Sequence, residues 1–313
     1  MASPNIRAAV VGVGHLGKHH ARILSSTPGV TLVAVVDRDA ARAAEHARAS
    51  GARVCADVSE LADIELEAVC VAVPTEDHYA VAKPLLARGI GVLVEKPMTR
   101  SIDEADRMIA AAKAGGAVLA VGHTERFNPA VEAALPHVTD PKFIEVHRLS
   151  PFPERSLDID VIFDLMIHDL DIVRAMVRSE VADLEAVGVP VLSHRFDIAN
   201  VRLRFENGCI ANLTASRISK DRVRKLRVFQ RDAYISIDFA EQQVEAYRLD
   251  RRGEKPAIGG GMLPIEKEEP LRREIEDFLG AVRETRAPRV TGEDGRAALV
   301  LADRIATAMI AVT

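Results

Sequence analysis

From Ile6 to about His123, short apolar runs alternate with stretches whose apolar residues recur at helical spacing. Ala8 to Val11, Leu32 to Val36, Arg53 to Cys55, Ala68 to Val73, Val92 to Val94 and Val118 to Val121 read as strands. Most are apolar without a break, as expected of a parallel sheet covered on both faces. Leu16 to Leu24, Ala40 to Ala49, Tyr79 to Ala87 and Ile102 to Ala112 read as the helices between them. Repeated strand and helix with right-handed crossovers predicts an α/β domain over residues 1–123, built on a doubly wound parallel sheet.

The texture changes near Thr124. A short helix around Ala130 to Leu135, a strand at Phe143 to Arg148 and a helix from about Asp158 to Val177 precede a series of strands. Ala199 to Phe205 and Cys209 to Ser216 alternate around Asn207-Gly208, a hairpin signal, and Leu226 to Phe229, Tyr234 to Phe239 and Val244 to Leu249 continue the pattern. Residues 124–313 therefore read as an α+β domain on an open, mostly antiparallel sheet. Arg251 to Met262, with Gly259-Gly260-Gly261, reads as a mobile loop, and helices follow at Leu271 to Thr285 and Arg296 to Ile310. Ile210, Leu213, Val228, Ile235 and Ile237 are assigned to the open face, which predicts a homodimer or homotetramer through this sheet.

Composition narrows the class. A chain of 313 residues exceeds what one core usually organises, so two domains are expected. A net charge of -5 lacks the basic excess of a nucleic-acid binder. Cys55, Cys70 and Cys209 form no C-x-x-C pair, so neither zinc nor a disulfide framework is indicated, and no apolar run suits a signal peptide or membrane span. The expectation is a cytoplasmic protein with no metal, membrane or nucleic-acid partner.

Gly12-Val13-Gly14-His15-Leu16-Gly17 leaves a predicted strand and enters a predicted helix, the context in which G-x-G-x-x-G binds a dinucleotide. Gly12 permits the tight turn, Gly14 lets the backbone at His15 and Leu16 approach a pyrophosphate, and Gly17 allows close helix packing. Asp37 ends the second strand 20 residues beyond Gly17 and suits the adenosine ribose hydroxyls, which favours NAD; Arg38 beside it would suit a 2′-phosphate. The plainer reading of Asp37 is a cap for the following helix. His19 and His20 are read as structural or solvent-facing.

The fifth strand runs into Val94-Glu95-Lys96-Pro97. Further motifs are Pro74-Thr75-Glu76-Asp77-His78, Gly122-His123-Thr124-Glu125-Arg126-Phe127-Asn128-Pro129 and Asp164-Leu165-Met166-Ile167-His168-Asp169-Leu170-Asp171. Through them the chain resembles the Gfo/Idh/MocA oxidoreductases over nearly its whole length. The resemblance implies a Rossmann domain with the nicotinamide at the carboxyl ends of the sheet. Pro74, Thr75, His78, Glu95 and Lys96 would lie on the cofactor side, with a cis bond before Pro97. An ordinary helix-terminal histidine remains the alternative for His78.

Asp164 and His168, four residues apart on one predicted helix, share a face, so the carboxylate can orient the imidazole or both can meet a sugar hydroxyl. The resemblance places this pair over the substrate, with His168 as acid/base; we read His168 as the proton acceptor and Lys96 as orienting the hydroxyl, with Lys96, beside the positively charged ring, the alternative base. Ile159-Asp160 and Met166 stand where many relatives have glycine, which alters the expected pocket.

The segments around Arg126, Arg148 and Arg155 are similar to a subgroup of UDP-N-acetylglucosamine 3-dehydrogenases, whose ketone product an aminotransferase consumes. Arg126, Asn128, Arg155 and Arg217 are the candidate substrate residues. Each has a plainer role: Arg126 can pair with Glu125, Asn128 can cap a helix, and Arg155 and Arg217 can be surface arginines. A free-sugar or inositol dehydrogenase, a non-catalytic dinucleotide sensor and a tetrapyrrole-type reductase are the competing readings.

Overall fold

The computed structural model describes residues 5–152, 159–251 and 255–311. They form two compact units, Met1–His123 with Leu271–Ala297, and Thr124–Pro270 with Ala298–Thr313.

The first unit runs β1 (Ile6–Val11), α1 (Gly17–Ser26), β2 (Val30–Val36), α2 (Ala40–Ala47), β3 (Arg53–Cys55), β4 (Ala68–Val71), α3 (Thr75–Ala87), β5 (Gly91–Glu95), α4 (Ile102–Gly115) and β6 (Leu119–Gly122). All six strands pair in parallel in the order β3-β2-β1-β4-β5-β6. The order reverses between β1 and β4, so the loops after β1, β4 and β5 leave the same end of the sheet near the switch point where such folds bind ligands. Continuous apolar strands are explained directly, since β1, β4 and β5 are buried along almost their whole length.

Residues 124–313 do not fold as one unit. The helix α7 (Pro270–Glu284), numbered after α5 and α6 below, puts Ile275, Phe278 and Leu279 into the same core as Val10, Leu24 and Leu93. Its sequence announces an amphipathic helix but cannot name the sheet that covers its apolar stripe.

The second unit contains α5 (Pro129–Ala134), β7 (Pro141–Leu149), α6 (Ile167–Val177), β8 (Val181–Val189), β9 (Ile198–Phe205), β10 (Ile210–Ser216), β11 (Val223–Gln230), β12 (Ala233–Asp238), β13 (Gln243–Asp250), β14 (Ala257–Met262) and β15 (Ile310–Ala311). The chain reaches β15 through α8 (Gly292–Ala308), within which the division between units falls. The nine-stranded sheet has the order β14-β13-β12-β11-β7-β10-β9-β8-β15 and is antiparallel except at β7/β10 and β8/β15. One helix-covered face holds the core: Val131 of α5, Leu170 and Val173 of α6, and Leu301 and Ile305 of α8 belong to the same cluster as the strand residues.

Two expectations for this unit are corrected. Leu213, Val228, Ile235 and Ile237 belong to that covered core, and of the five residues assigned to the open face only Ile210 is partly exposed. Side chains alternate along a strand, so Ile210 and Leu213, three positions apart, point to opposite faces. The other face carries Phe143, Phe229, Tyr234 and Tyr247, directly opposite one another across β7, β11, β12 and β13. The first three rings pack in series, with Phe143 to Phe229 at 5.7 Å and Phe229 to Tyr234 at 5.2 Å.

The stretch assigned to a mobile loop contains β14, the edge strand paired with β13. Glycines read locally as a break, but a Cβ on Gly260 would lie 2.0 Å from the Ala246 carbonyl oxygen, so here glycine permits close pairing. β8 and β15 carry no strong alternation and were not anticipated.

Candidate active site

In the first unit the turn after β1 has the form a dinucleotide needs. Gly12 has φ +85°, and a Cβ there would lie 2.8 Å from the Ala72 carbonyl oxygen; one on Gly17 would lie 1.8 Å from the Gly12 carbonyl oxygen. Gly14 is different, because the nearest atom to a Cβ is the tip of Arg42 at 3.7 Å. The first two glycines are demanded by the fold, whereas Gly14 leaves space over the backbone that a ligand can use. His15 and Leu16 are exposed beside it.

α1 starts with no side-chain cap and no acidic residue in its first turn, whereas α2 and α4 are capped by Asp39 and Ser101. A helix end left without an anionic partner suits a bound phosphate. Asp37 is therefore not the cap of α2. Its Oδ2 accepts from Val13 N–H and its Oδ1 from Asp39 N–H, both at 2.9 Å, which fixes the carboxylate beside the glycine turn and leaves each oxygen a further lone pair for a hydroxyl. Arg38 points to Asp77 at 3.2 Å and is 87% exposed. These residues fit NAD, and Asp37 disfavours a 2′-phosphate by charge.

At the end of β5, Glu95 is buried, Lys96 half-buried, and the Lys96–Pro97 peptide is cis. Glu95 Oε1 lies 2.9 Å from Nε2 of His20 on α1, so His20 is wholly internal and the solvent-facing alternative is excluded. His78, also buried, places Nδ1 2.9 Å from the Pro97 carbonyl oxygen and Nε2 2.9 Å from that of Val73. A neutral imidazole donates at only one of these positions. Burial lowers the His78 pKa against the pull of both hydrogen bonds. His78 thus joins the chain ends after β4 and β5, while Pro74 and Thr75, exposed and half-buried, open α3.

In the second unit, the helix carrying Asp164 and His168 contains a π turn over Ile162–Met166 before α6 begins. The spacing predicted a helix but not this widened turn, a form often found at functional sites. Asp164 and His168 are both half-buried, while Ile162, Met166 and Ile167 enter the core. The start of this helix is held from outside: the Asp160 carboxylate accepts from Phe196 N–H at 3.0 Å, and Arg217 Nη1 donates to the Ile159 carbonyl at 2.7 Å.

Three candidate substrate residues have internal partners. Arg217 is 0% exposed and donates through Nε to Asp197 at 2.9 Å and through Nη2 to Ser193 Oγ at 3.1 Å. A guanidinium so enclosed organises the fold, and its assignment to substrate is withdrawn. Asn128 caps α5, accepting from Ala130 N–H at 3.0 Å, and donates to the Phe239 carbonyl at 3.0 Å. It too is buried, so the capping role stands and the substrate role does not. Arg126 makes a bidentate pair with Asp171 at 2.7 and 3.0 Å, and Glu125 is taken instead by Arg148 at 3.0 Å. Arg155 lies outside the described residues.

Sequence spacing missed Arg148 as a structural centre. It is buried and donates to both oxygens of Asp169 at 2.8 Å as well as to Glu125. Burial acts to neutralise Arg148, but the two carboxylates outweigh it and keep the guanidinium charged. Asp169 follows His168 in the chain, so this network fixes the buried face of the same helix. Its only sequence signal was an arginine within a strand.

Residues 6–123 match the oxidoreductase family model with the NAD-binding Rossmann fold, and residues 102–237 match the Gfo/Idh/MocA C-terminal domain. The chain belongs to the Gfo/Idh/MocA family. It is 38% identical over 309 residues to UDP-N-acetylglucosamine 3-dehydrogenase of Acidithiobacillus ferrooxidans, covering 97% of each chain. The solved structure of that enzyme, GnnA, superposes with a TM-score of 0.91 at 37% identity over 98% of both chains. Inositol 2-dehydrogenase of Leifsonia xyli is 34% identical over 211 residues, 64% of this chain and 61% of that protein. Levoglucosan dehydrogenase in complex with NADH and L-sorbose shares the fold, with a TM-score of 0.86 at 18% identity over 97% of this chain and 96% of that one. This Gfo/Idh/MocA protein is an NAD-dependent dehydrogenase. Among the described residues, no helix is long and apolar enough to cross a membrane.

Proposed function

We propose that this enzyme oxidises the 3-hydroxyl of a UDP-N-acetylhexosamine with NAD. The observation that carries the reading is the 38% identity to UDP-N-acetylglucosamine 3-dehydrogenase over 97% of both chains, where the Leifsonia inositol 2-dehydrogenase matches only 64% of this one. Bound NAD supplies the acceptor for the hydride that leaves the carbinol carbon. The chain's residues handle the proton: His168 accepts it from the sugar hydroxyl, Asp164 fixes the imidazole tautomer, and Lys96 orients the hydroxyl. The ketone so formed is a substrate for an aminotransferase.

Arg217 and Asn128 no longer support a diphosphate contact, and Arg126 does so only if it leaves Asp171. That favours testing a free polyol beside the nucleotide sugar. Purified protein with NAD is offered UDP-N-acetylglucosamine and myo-inositol, and the reduced cofactor is followed by absorbance. Turnover of the nucleotide sugar is expected, and UDP should raise the melting temperature when NAD is present. Turnover of inositol alone would overturn the substrate assignment; NADH binding without turnover of any polyol would make the protein a sensor.

We also infer self-association through the uncovered sheet face, on the Phe143, Phe229, Tyr234 and Tyr247 row rather than the core residues first assigned. Sedimentation at micromolar concentration should give a dimer or tetramer that a Phe229→Glu variant loses. The three buried free thiols suit the reducing cytoplasm.

A further inference from the structure

Glu95 ends β5 at 7% exposure, where an ionised carboxylate is costly unless its oxygens are satisfied. Both are engaged: Oε1 by His20 Nε2 at 2.9 Å, and Oε2 by the backbone N–H of Lys96 at 3.3 Å. Gly122 on β6 leaves room for the carboxylate, since a Cβ there would lie 3.0 Å from Oε2. Burial pushes the Glu95 carboxyl up, but the His20 hydrogen bond and the nearby Lys96 charge oppose it, and the carboxyl is held below its usual range.

His20 is itself 0% exposed and sits three residues past Gly17, on the helix that begins at the glycine turn. Among the described residues its buried Nδ1 has no hydrogen-bond partner, so a proton carried on Nε2 and donated to Glu95 leaves the least unsatisfied. On the other side of Lys96, His78 is bonded to the Pro97 carbonyl. The backbone before the lysine is therefore tied to α1 and the backbone after it to α3.

We propose that His20 is a positioning residue for Lys96: by donating to Glu95 it holds the carboxylate on the Lys96 backbone N–H and so sets where the amine stands. This rests on the reading of Lys96 as a catalytic group. His20 does not touch the reacting atoms in this scheme; it acts only through Glu95. The alternative is a cross-brace between α1 and β5 that contributes stability and nothing else.

The test compares His20→Leu, His20→Gln, Glu95→Gln and the double variant His20→Leu/Glu95→Gln with Lys96→Ala as control. Turnover, KM, the dissociation constant of NADH by its fluorescence, and melting temperature are measured on each. The reactivity of the Lys96 amine is read in cofactor-free protein from its rate of acylation by an N-hydroxysuccinimide ester, located by peptide mass spectrometry.

His20→Leu is expected to lower kcat about 10- to 100-fold, since small misplacements of a positioned group cost on that order, with NADH binding kept within about twofold. It should also speed Lys96 acylation severalfold. His20→Gln, whose amide can still donate, should recover most of both, and the double variant should be no worse than Glu95→Gln alone. Wild-type kcat and acylation in His20→Leu beside an inactive Lys96→Ala would overturn the inference alone. So would purely additive effects, or a loss that follows the melting temperature and is not rescued by His20→Gln. Normal turnover by Lys96→Ala would instead remove the reading on which it rests. Should His20→Leu fail to fold, Glu95→Gln must show both changes, and wild-type behaviour there overturns the proposal.

Discussion

Next to the dinucleotide motif, Asp37 bonds two backbone N–H groups and Glu95 holds the chain at Lys96, while Gly14 leaves open space and α1 starts without a side-chain cap. In the sheet unit, Arg148, Arg126 and Arg217 give their guanidinium arms to Asp169 and Glu125, to Asp171, and to Asp197 with Ser193. Both regions bury charge, and both look functional when read as sequence. The difference lies in remaining capacity. A charged side chain serves a ligand when the fold leaves part of its bonding unfilled, and becomes architecture when its geometry is closed by its own protein.

That contrast can be broken most forcefully at Arg217. Removing one partner of a buried ion pair leaves the other uncompensated, so Arg217→Ala should cost about 3–5 kcal/mol in chemical denaturation. A loss below about 1 kcal/mol would return Arg217 to the candidate ligands. The pH dependence of the pair sharpens the point. Burial pushes Asp197 up, but bonds from Ser193, Leu192 and Arg217 outweigh it and hold its carboxyl well below the usual range. A depressed carboxylate contributes stability that is full above about pH 4 and is lost as pH falls toward its folded value. The melting-temperature gap between wild type and Asp197→Asn should therefore be widest near neutrality and narrow under acid.

His168→Ala should show the opposite signature. Turnover is expected to fall by about 10² to 10⁴ with melting temperature nearly unchanged, because the half-buried ring is outside the core. Wild-type turnover would remove His168 from the chemistry. Gly14→Ala, whose Cβ meets only the Arg42 tip in the folded chain, should leave stability intact while weakening NADH by at least about tenfold, or 1.4 kcal/mol. Unchanged affinity in a fluorescence titration would place the pyrophosphate elsewhere. The smallest functional effect is expected for Asn128→Ala, which loses stability, about 1 kcal/mol for the helix cap and more for the broken bond to the Phe239 carbonyl, with KM unmoved. A raised KM at full stability would restore its substrate role.

Much of the first unit was legible along the chain, because a buried parallel sheet requires continuous apolar runs and the glycine turn requires its residues at fixed spacing. The Asn207-Gly208 hairpin was legible for the same kind of reason, with Gly208 at φ +82°. The return of α7 to the first core, the strand at Gly259 to Gly261 and the covered side of the second sheet were not. The first and last are decided by contacts from distant segments, whereas the strand pairs with the neighbouring β13 and was hidden by its three glycines. Candidate residues divided likewise: Asp37 kept the place its motif implied, whereas Arg217 and Asn128 were claimed by Asp197 and Phe239, 20 and 111 positions away.

The order of residues alone determined where this chain turns tightly, where the strands of the first sheet run and which motifs identify its chemistry, since those depend on neighbours a few positions apart. Which charges would be consumed internally, and that His20 would stand behind Glu95 from 75 positions away, only tertiary structure decided. Charge and hydrogen bonding act over a few ångströms of space, and separation along the chain does not measure that distance.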